Sequence, residues 1–246
     1  MGRLASSTAQ YGPRGNIAAE DLVTTYDYDN TGRLDNMSYS IVGTTMSYAA
    51  AYKTNSDLIN TFAMPNATVH YSYDALQRMT DQRIKNSSGT VLGGQSYSYQ
   101  AGSGSNSTST IVNRVTMDKS GNYFDYTYDS RGNITQIKKN GSVVATYTYD
   151  AQNQLLSETY GGKTWTYTYD KAGNILTVSD GTTTNNYGYS TNWGDLLTSY
   201  KGTAITYDNA GNPLSYYNGQ NYTFTWTEGN RLASATVDNT TTIKGQ

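Results

Sequence analysis

The sequence predicts an all-β fold of stacked antiparallel β-hairpins, each about twenty residues long. A phrase of the form aromatic–x–Tyr–Asp–x–x–Gly/Asn–x–apolar returns along the chain, and a period near twenty residues is typical of stacked supersecondary units. The 246 residues include 25 Tyr but only 3 Phe, and Thr is abundant while Leu, Ile and Val are sparse. Since Tyr and Thr both favour strands, we expect buried layers made of tyrosine rather than leucine.

One copy of the phrase shows why it should fold as a hairpin. Residues 145–149 alternate, which places Tyr147 and Tyr149 on one face of a strand. Asp150 then begins a turn, in which its side chain accepts hydrogen bonds from the backbone downstream. Asn153 is expected in the left-handed region that closes a bulged hairpin, where Gly is tolerated best and Asn next best. A return strand and a second turn complete the repeat.

Each repeat is identified by one aromatic residue, which we call its anchor. The left-handed residue is expected four positions after the anchor, and an apolar residue six positions after it. Clear anchors occur at positions 128, 149, 169, 189, 207 and 226, which lie 18 to 21 residues apart. Copies at Tyr73, where Gln77 replaces the glycine, and at Tyr52, where Ser56 takes that place, are degenerate. The turn after Tyr189 has gained a residue, so that its apolar position is expected at Leu196.

The motif residues expected to have a structural role form one set. They are Tyr26, Tyr28, Asp29, Gly32, Tyr71, Tyr73, Asp74, Tyr126, Tyr128, Asp129, Gly132, Tyr147, Tyr149, Asp150, Asn153, Tyr167, Tyr169, Asp170, Gly173, Tyr187, Tyr189, Tyr207, Asp208, Gly211, Trp226 and Asn230.

Residues 1–246 are interpreted as a single repeat array. Its least regular part is about 86–115, which includes a Gly- and Ser-rich stretch at 101–108 that indicates a flexible loop. We interpret this part as a decorated repeat, with a hinge between two sub-arrays as the alternative. Residues 1–6 resemble the end of a repeat, so the array is expected to begin inside a longer one.

Composition argues against several classes of function. The net charge is −2 and no basic patch is visible, so nucleic acid is not expected as a partner. Without cysteine there is no disulfide framework or thiolate site. No apolar run approaches the roughly 18 residues that a membrane-spanning helix needs, and the first residues lack the apolar region of a signal peptide.

No residue is assigned a catalytic, cofactor-binding or metal-binding role, and we expect the protein not to be an enzyme. His70 is the sole histidine, and its alternating context indicates a structural strand residue rather than a catalytic base. The recurring aspartates are interpreted as turn acceptors, with a repeated calcium site as the alternative.

The tyrosine rows admit two interpretations. In the first, anchors of successive repeats come into register as aromatic ladders, each ring pair adding about 0.5–1.5 kcal/mol beyond area burial, and Thr and Asn neighbours accept from the hydroxyls. In the second, the aromatic face binds glycans, because aromatic platforms flanked by Asn and Thr suit sugars.

The phrase at residues 126–134 and 167–175 resembles the YD (tyrosine–aspartate) repeats of the Rhs family, and the resemblance extends from about residue 26 to residue 232. Bacterial Rhs and wall-associated polymorphic toxins have these repeats, and insecticidal toxin complexes and teneurins share them. The resemblance implies a sheet that spirals into a hollow shell, enclosing a C-terminal toxin in the bacterial proteins. The self-cleaving core segment and the toxin of those proteins have no counterpart in this sequence.

The resemblance therefore implies a curved or spiralling sheet that is part of a shell, in a secreted or cell-surface bacterial protein. The expected function is structural: a module that helps to enclose a toxin or effector. The alternative is a repeat module that binds carbohydrate or a cell surface. Expected partners are the enclosed polypeptide or neighbouring repeats, with glycans under the alternative, and self-association through open sheet edges. No cofactor is expected.

Overall fold

The computed structural model describes residues 3–9, 22–41, 43–102, 108–238 and 240–244, the last four without their side chains. These residues form strands and turns and include no helix, which confirms the all-β prediction. The expected repeat end at 1–6 and the expected loop at 101–108 lie partly outside the described residues.

The chain divides into two compact units, one of residues 1–126 with 138–142 and the other of residues 127–137 with 143–246. The predicted irregular part at 86–115 lies within the first unit and contains the longest described strand of that unit and most of the second longest.

The first unit is an antiparallel sheet in which each strand pairs with the next along the chain. Its strands are β1 (Ser6–Ala9), β2 (Leu22–Tyr28), β3 (Leu34–Ile41), β4 (Thr44–Tyr52), β5 (Ile59–Met64), β6 (Ala67–Tyr73), β7 (Met79–Lys85), β8 (Val91–Ala101), β9 (Thr108–Met117) and the first residues of β10 (Tyr123–Tyr128).

Within the second unit, neighbouring strands also pair antiparallel in chain order. Its strands are part of β11 (Ile134–Lys139), β12 (Ser142–Tyr149), β13 (Leu155–Tyr160), β14 (Lys163–Tyr169), β15 (Ile175–Ser179), β16 (Thr184–Tyr189), β17 (Leu197–Tyr200) and β18 (Thr203–Ala204). A separate four-stranded sheet follows, made of β19 (Ser215–Tyr217), β20 (Asn221–Thr227), β21 (Arg231–Val237) and β22 (Thr240–Lys244). The predicted stacking of antiparallel hairpins is confirmed.

Most of the motif hairpins have a bulge at their anchor. Thr148 pairs with Ser157 and the next residue, Tyr149, pairs with Leu155, so one residue of the return strand is left over at the register shift. The same shift occurs at Tyr169, which pairs with Ile175. A bulge increases the local twist and changes the direction of nearby side chains. The anchors at these bulges lie at the turn ends of their hairpins.

Backbone angles at the turns follow the motif with two differences. Gly132 and Asn153 have φ of 88° and 65°, the left-handed region that the motif requires. In the Tyr52 repeat the left-handed residue is Asn55, not Ser56. After Tyr189, no described residue from 190 to 197 has positive φ, and the anchor pairs with Leu197 rather than the expected Leu196. The turn has therefore gained two residues, not the one that was expected, since the other anchors pair with the residue six positions on.

The interior is thin. Among the described residues no large side chain is fully buried, and the hydrophobic residues that count as buried are Ala50, Val69, Ala145, Ile205 and Ala235. The tyrosines of the motif are half-buried instead. Stability must therefore come from strand pairing and from polar contacts, some of them between side chains on neighbouring strands. A second, recurring set of polar contacts lies at the turns.

Candidate functional site

The turn aspartate binds the backbone of its own turn. Asp150 Oδ1 accepts from the backbone N–H groups of Gln152 and Gln154, each at 2.8 Å. The Asp150 N–H in turn donates to the Gln154 carbonyl at 3.0 Å. The same pair of carboxylate contacts is made by the aspartates at the other motif turns, namely Asp29, Asp74, Asp129, Asp170 and Asp208.

The anchor side chain joins its repeat to the preceding one. The Tyr149 hydroxyl donates to the Ile134 carbonyl at 2.9 Å, and the Tyr169 hydroxyl donates to the Leu155 carbonyl at 2.8 Å. Each acceptor is the first residue of the preceding return strand. Equivalent bonds run from Tyr28 to Leu4, Tyr52 to Leu34, Tyr73 to Ile59, Tyr99 to Met79, Tyr189 to Ile175, Tyr207 to Leu197 and from the Trp226 indole N–H to Pro213.

These bonds correct one expectation. The sequence suggested Thr and Asn side chains as partners of the anchor hydroxyls, whereas the acceptors are backbone carbonyls. A carbonyl oxygen has a second lone pair beside the one used in the sheet, so the anchor needs no particular side chain opposite it. Partial burial raises the pKa of Tyr149 and of Tyr169 above the ordinary tyrosine value.

Ring-to-ring contacts are made mostly by other aromatics. In the second unit Tyr187 contacts Tyr200 at 5.0 Å between centroids, Tyr200 stacks on Tyr216 at 5.8 Å, and the row continues through Tyr222 to Phe224. Of these five residues only Tyr187 belongs to the predicted motif set. The expectation that the anchors themselves form the aromatic ladder is therefore wrong for this row: the bulge directs the anchors to carbonyls, and neighbouring positions build the ring contacts.

In six repeats a tyrosine of the predicted motif set lies two residues before the anchor, on the same strand and the same face, since side chains alternate along a strand. These residues are Tyr26, Tyr71, Tyr126, Tyr147, Tyr167 and Tyr187. The Tyr167 hydroxyl donates to Glu158 Oε1 at 2.6 Å, and burial together with this bond raises the pKa of Tyr167 to about 12.

A residue that the sequence interpretation missed connects successive turns. It lies five positions after the anchor, and we call it the bridging residue. In the first unit it is arginine in the Tyr28 and Tyr73 repeats. Arg33 Nε donates to Asp29 Oδ2 at 2.7 Å, and Nη1 donates to the Ser56 carbonyl at 2.5 Å in the next turn. The Arg33 guanidinium also lies over the ring of the next anchor, Tyr52, at 4.2 Å.

Arg78 repeats this arrangement. It donates to Asp74 Oδ2 at 2.7 Å and to the Ser109 carbonyl, and it lies 4.4 Å from the centre of the Tyr99 ring. Charge-assisted bonds of this kind are stronger than neutral ones. Both arginines contact their turn aspartate and the ring of the next anchor, so these two contacts belong to the repeat rather than to one turn. The carbonyl acceptors differ in position, since Ser56 lies in the next turn and Ser109 lies in β9.

In the second unit the bridging residue is mostly asparagine. Asn174 Nδ2 donates to Asp170 Oδ2 and to the Gly194 carbonyl in the next turn, both at 2.8 Å. Asn133 connects Asp129 to Asn153, and Asn212 connects Asp208 to Asn230. The signal that could have revealed this role is the Arg or Asn found four residues after every motif turn aspartate except Asp150.

Of the motif turns in the second unit that begin with aspartate, the one at Asp150 has no bridge among the described residues. Gln154 stands at the bridging position after Asp150, and its side chain makes no hydrogen bond among the described residues. Asp150 Oδ2 likewise accepts none there. A groove of about 660 Å³ lies between the turns at Asp150 and Asp170 and is lined also by Tyr169 and Lys171.

The asparagine bridges change the acidity of the turn carboxylates. The side-chain bond from Asn174 is the main cause that lowers the pKa of Asp170, with the backbone N–H bonds adding to it. The pKa values of Asp129 and Asp208 are lowered for the same reasons. An ionised carboxylate is thus the form that the turn stabilises.

Other candidate chemistry receives little support. His70 lies within β6 and pairs in register with Thr61 and Arg83. In the described part of the chain, no group of three or more His, Cys, Asp or Glu side chains is placed to hold a metal ion. No helix formed by the described residues is long and apolar enough to cross a membrane.

Comparison with known proteins gives one family. The RHS Repeat family matches residues 128–163 and 149–184, so the resemblance to Rhs repeats is confirmed for this segment. No curated protein matches the chain.

Among solved structures, the chain is similar to a complex titled TcdB2-TccC3-Cdc42, with 14% identity, a TM-score of 0.43, and coverage of 88% of this chain and 16% of that one. It is also similar to the pore of the Photorhabdus luminescens Tc holotoxin, with 13% identity, a TM-score of 0.43, and coverage of 87% of this chain and 15% of that one. A porin-like protein from Bacteroides uniformis matches with 12% identity, a TM-score of 0.34, and coverage of 70% of this chain and 85% of that one. This chain therefore spans about a sixth of the toxin-complex chains.

Proposed function

Because residues 128–184 consist of RHS repeats, we propose that the chain is a structural module, part of a shell that encloses a toxin or effector polypeptide of a bacterial protein. The observation that supports this most is the series of bonds from each anchor to the carbonyl of the preceding repeat. Each repeat is held to its neighbour at the same point, as a continuous wall requires.

The mechanism is containment rather than catalysis. A sheet of paired hairpins, with its turns cross-connected by the bridging residues, shields an enclosed polypeptide from solvent until delivery. Arg33 and Asn174 contribute in the same way, since each connects one turn to the next. We further propose that both units belong to one repeat array and that the protein acts outside the producing cell. Open sheet edges would then pair with neighbouring repeats or with a second copy.

Photo-crosslinking tests the containment proposal. A photoreactive residue is placed at Tyr160, which is 63% exposed, or at Thr166, and the protein is produced in its own host. Pairing in register places Tyr160 on the face of Ala145 and Thr166 on the opposite face with Ser157. We expect crosslinks to an enclosed polypeptide from one face and not from the other. A lack of polypeptide crosslinks from both positions would contradict containment.

Carbohydrate binding is a second candidate, and one observation favours it. Trp193 is 68% exposed and borders a groove of about 260 Å³ that is also lined by Asn192, Tyr207 and Asp208. An exposed indole beside amide and carboxylate groups suits a sugar ring. A glycan array probed with the chain and with Trp193→Ala tests this: binding that the substitution abolishes supports the candidate, and equal binding by both or by neither counts against it.

A further inference from the structure

The two arginine bridges define a guanidinium position in the repeat. At this position a guanidinium donates to the free carboxylate oxygen of the turn aspartate, lies over the ring of the next anchor, and donates to a backbone carbonyl beyond that anchor. Arg33 makes these contacts with Asp29, Tyr52 and Ser56. Arg78 makes the first two with Asp74 and Tyr99 and reaches a carbonyl of the following strand.

The same three partners are present between the Asp150 and Asp170 turns, but no arginine of the described residues lines the groove there. The Arg131 guanidinium donates to the Asp150 carbonyl at 2.8 Å and is not among the lining residues. Asp150 Oδ2 accepts no hydrogen bond from the described residues, and it is not a buried unpartnered atom. Tyr169 is the next anchor, and Gly173, four residues after it, supplies the equivalent carbonyl. All three residues line the groove of about 660 Å³.

We propose that this groove binds the guanidinium of an arginine side chain belonging to a partner polypeptide. The partner's arginine replaces in trans the bridge that Arg33 and Arg78 make in cis. Gln154 is one methylene longer than the asparagine of the neighbouring bridges, and its amide end reaches Gly173 without bonding to Asp150. That flexible end moves aside when a ligand enters.

The chemistry selects arginine over lysine. A planar guanidinium donates to a carboxylate and a carbonyl at once while it stacks on an aromatic face, whereas an ammonium is a strongly hydrated point charge. Lys171 also lines the groove and opposes any cation, so the fixed geometry of the fork is needed to favour binding. Asp170 contributes less, because its Oδ2 already accepts from Asn174.

Nuclear magnetic resonance titration tests the site. The whole chain is titrated with N-acetyl-arginine-amide, which imitates a side chain within a polypeptide, and with N-acetyl-lysine-amide. We expect saturable shifts of the Gln154 side-chain amide and of the Gly173 amide with the arginine compound, at a dissociation constant on the order of millimolar, and binding at least about tenfold weaker with the lysine compound.

Two variants serve as controls. Asp150→Asn keeps the Oδ1 acceptor of the turn but removes the charge, and Gln154→Arg fills the position in cis. Both should weaken binding about tenfold or more, and Gln154→Arg should also raise the melting temperature. Equal binding of the two compounds, or unchanged binding by folded Gln154→Arg, would overturn the proposal. Tighter binding of free L-arginine than of the blocked compound would indicate an amino-acid site and would overturn the polypeptide assignment. The site does not depend on containment, so either proposal can fail alone.

Discussion

The hydroxyl of Tyr169 donates a hydrogen bond of 2.8 Å to the backbone carbonyl of Leu155, in the return strand of the preceding hairpin. Tyr149 and Tyr189 make the same bond one repeat earlier and one repeat later. The anchor of each of these hairpins thus binds the first residue of the previous return strand and fixes the register between repeats. This relationship, rather than ring stacking, explains why the anchor is nearly always tyrosine.

Removing the Tyr169 hydroxyl should weaken the second unit. Tyr169→Phe keeps the ring and loses one hydrogen bond, which costs about 0.5–1.5 kcal/mol, and Tyr169→Ala should cost about 3–5 kcal/mol because the ring is lost as well. Differential scanning calorimetry should show a melting temperature a few degrees lower for the first variant and lower still for the second. Tyr160→Phe is the matched control, since Tyr160 is 63% exposed, and it should not change melting. Equal effects at the two positions would contradict the anchor assignment.

Asn174, which bridges two turns, and Gln154, which occupies the equivalent position without a bridge, can be compared directly by substitution. Asn174→Ala should lower the free energy of unfolding by about 1–2 kcal/mol, because Asp170 Oδ2 and the Gly194 carbonyl both lose a donor. Gln154→Ala should change it by less than about 0.5 kcal/mol. Urea unfolding followed by circular dichroism measures both. A cost at Gln154 as large as that at Asn174 would show that the bridge is not the source of the effect.

Acid should destabilise the fold through the turn carboxylates. The pKa values of Asp129, Asp170 and Asp208 are lowered in the folded state, mainly by the side-chain bond from the asparagine of each bridge. A lowered folded pKa contributes stability that is present above the unfolded value of about 3.9 and is lost as pH falls through the folded value. Urea midpoints should therefore fall below about pH 4. Asp170→Asn should flatten this dependence, and an unchanged slope would contradict the role of Asp170.

Alkali should destabilise the fold through the tyrosines. Burial raises the pKa values of Tyr149 and Tyr169, and burial together with Glu158 raises the pKa of Tyr167 to about 12. A raised folded pKa contributes stability that is present below the unfolded value of about 10 and is lost as pH rises through the folded value. Melting temperatures should fall between about pH 10 and pH 12. Tyr167→Phe should reduce that fall, and tyrosinate absorbance that rises fully at pH 10 in the folded protein would refute the shifts.

The turn at Gln77 offers a stabilising substitution. Gln77 has φ of 64°, where a side chain with a Cβ is strained and glycine is not. Gln77→Gly should raise the free energy of unfolding by up to about 1 kcal/mol, measured by urea unfolding. Gln82→Gly, within β7, should lower it instead. Stabilisation by both substitutions would point to a cause other than backbone strain.

The fold was predictable from the sequence because residue patterns within each hairpin specify its strands and turn. Alternation around Tyr147 and the Asp150 turn specify a hairpin through neighbouring residues alone, so the strands and most left-handed positions could be placed. The left-handed residue of the Tyr52 repeat was expected at Ser56, because Ser56 occupies the spacing that the other repeats use for glycine. That repeat lacks the aspartate that marks the start of the turn, so the position at Asn55 could not be predicted.

Contacts between repeats were not predictable in the same way. The partner of Tyr169 is a carbonyl, which has no side-chain signature, and it is identified only when the bulge and the register are known. The bridging residue was overlooked because Arg33, Asn174 and Gln154 share a position but not a residue type. Their common role becomes visible only when the two turns that they face are in place.

The hydrogen bond from Tyr169 to Leu155 can be measured in solution, and it tests the central relationship most directly. The carbonyl ¹³C chemical shift of Leu155, recorded by nuclear magnetic resonance, should move upfield in Tyr169→Phe, since the carbonyl loses a donor, and should stay in place in Tyr160→Phe. A Leu155 carbonyl shift that is the same in the wild-type chain and in Tyr169→Phe would contradict the account.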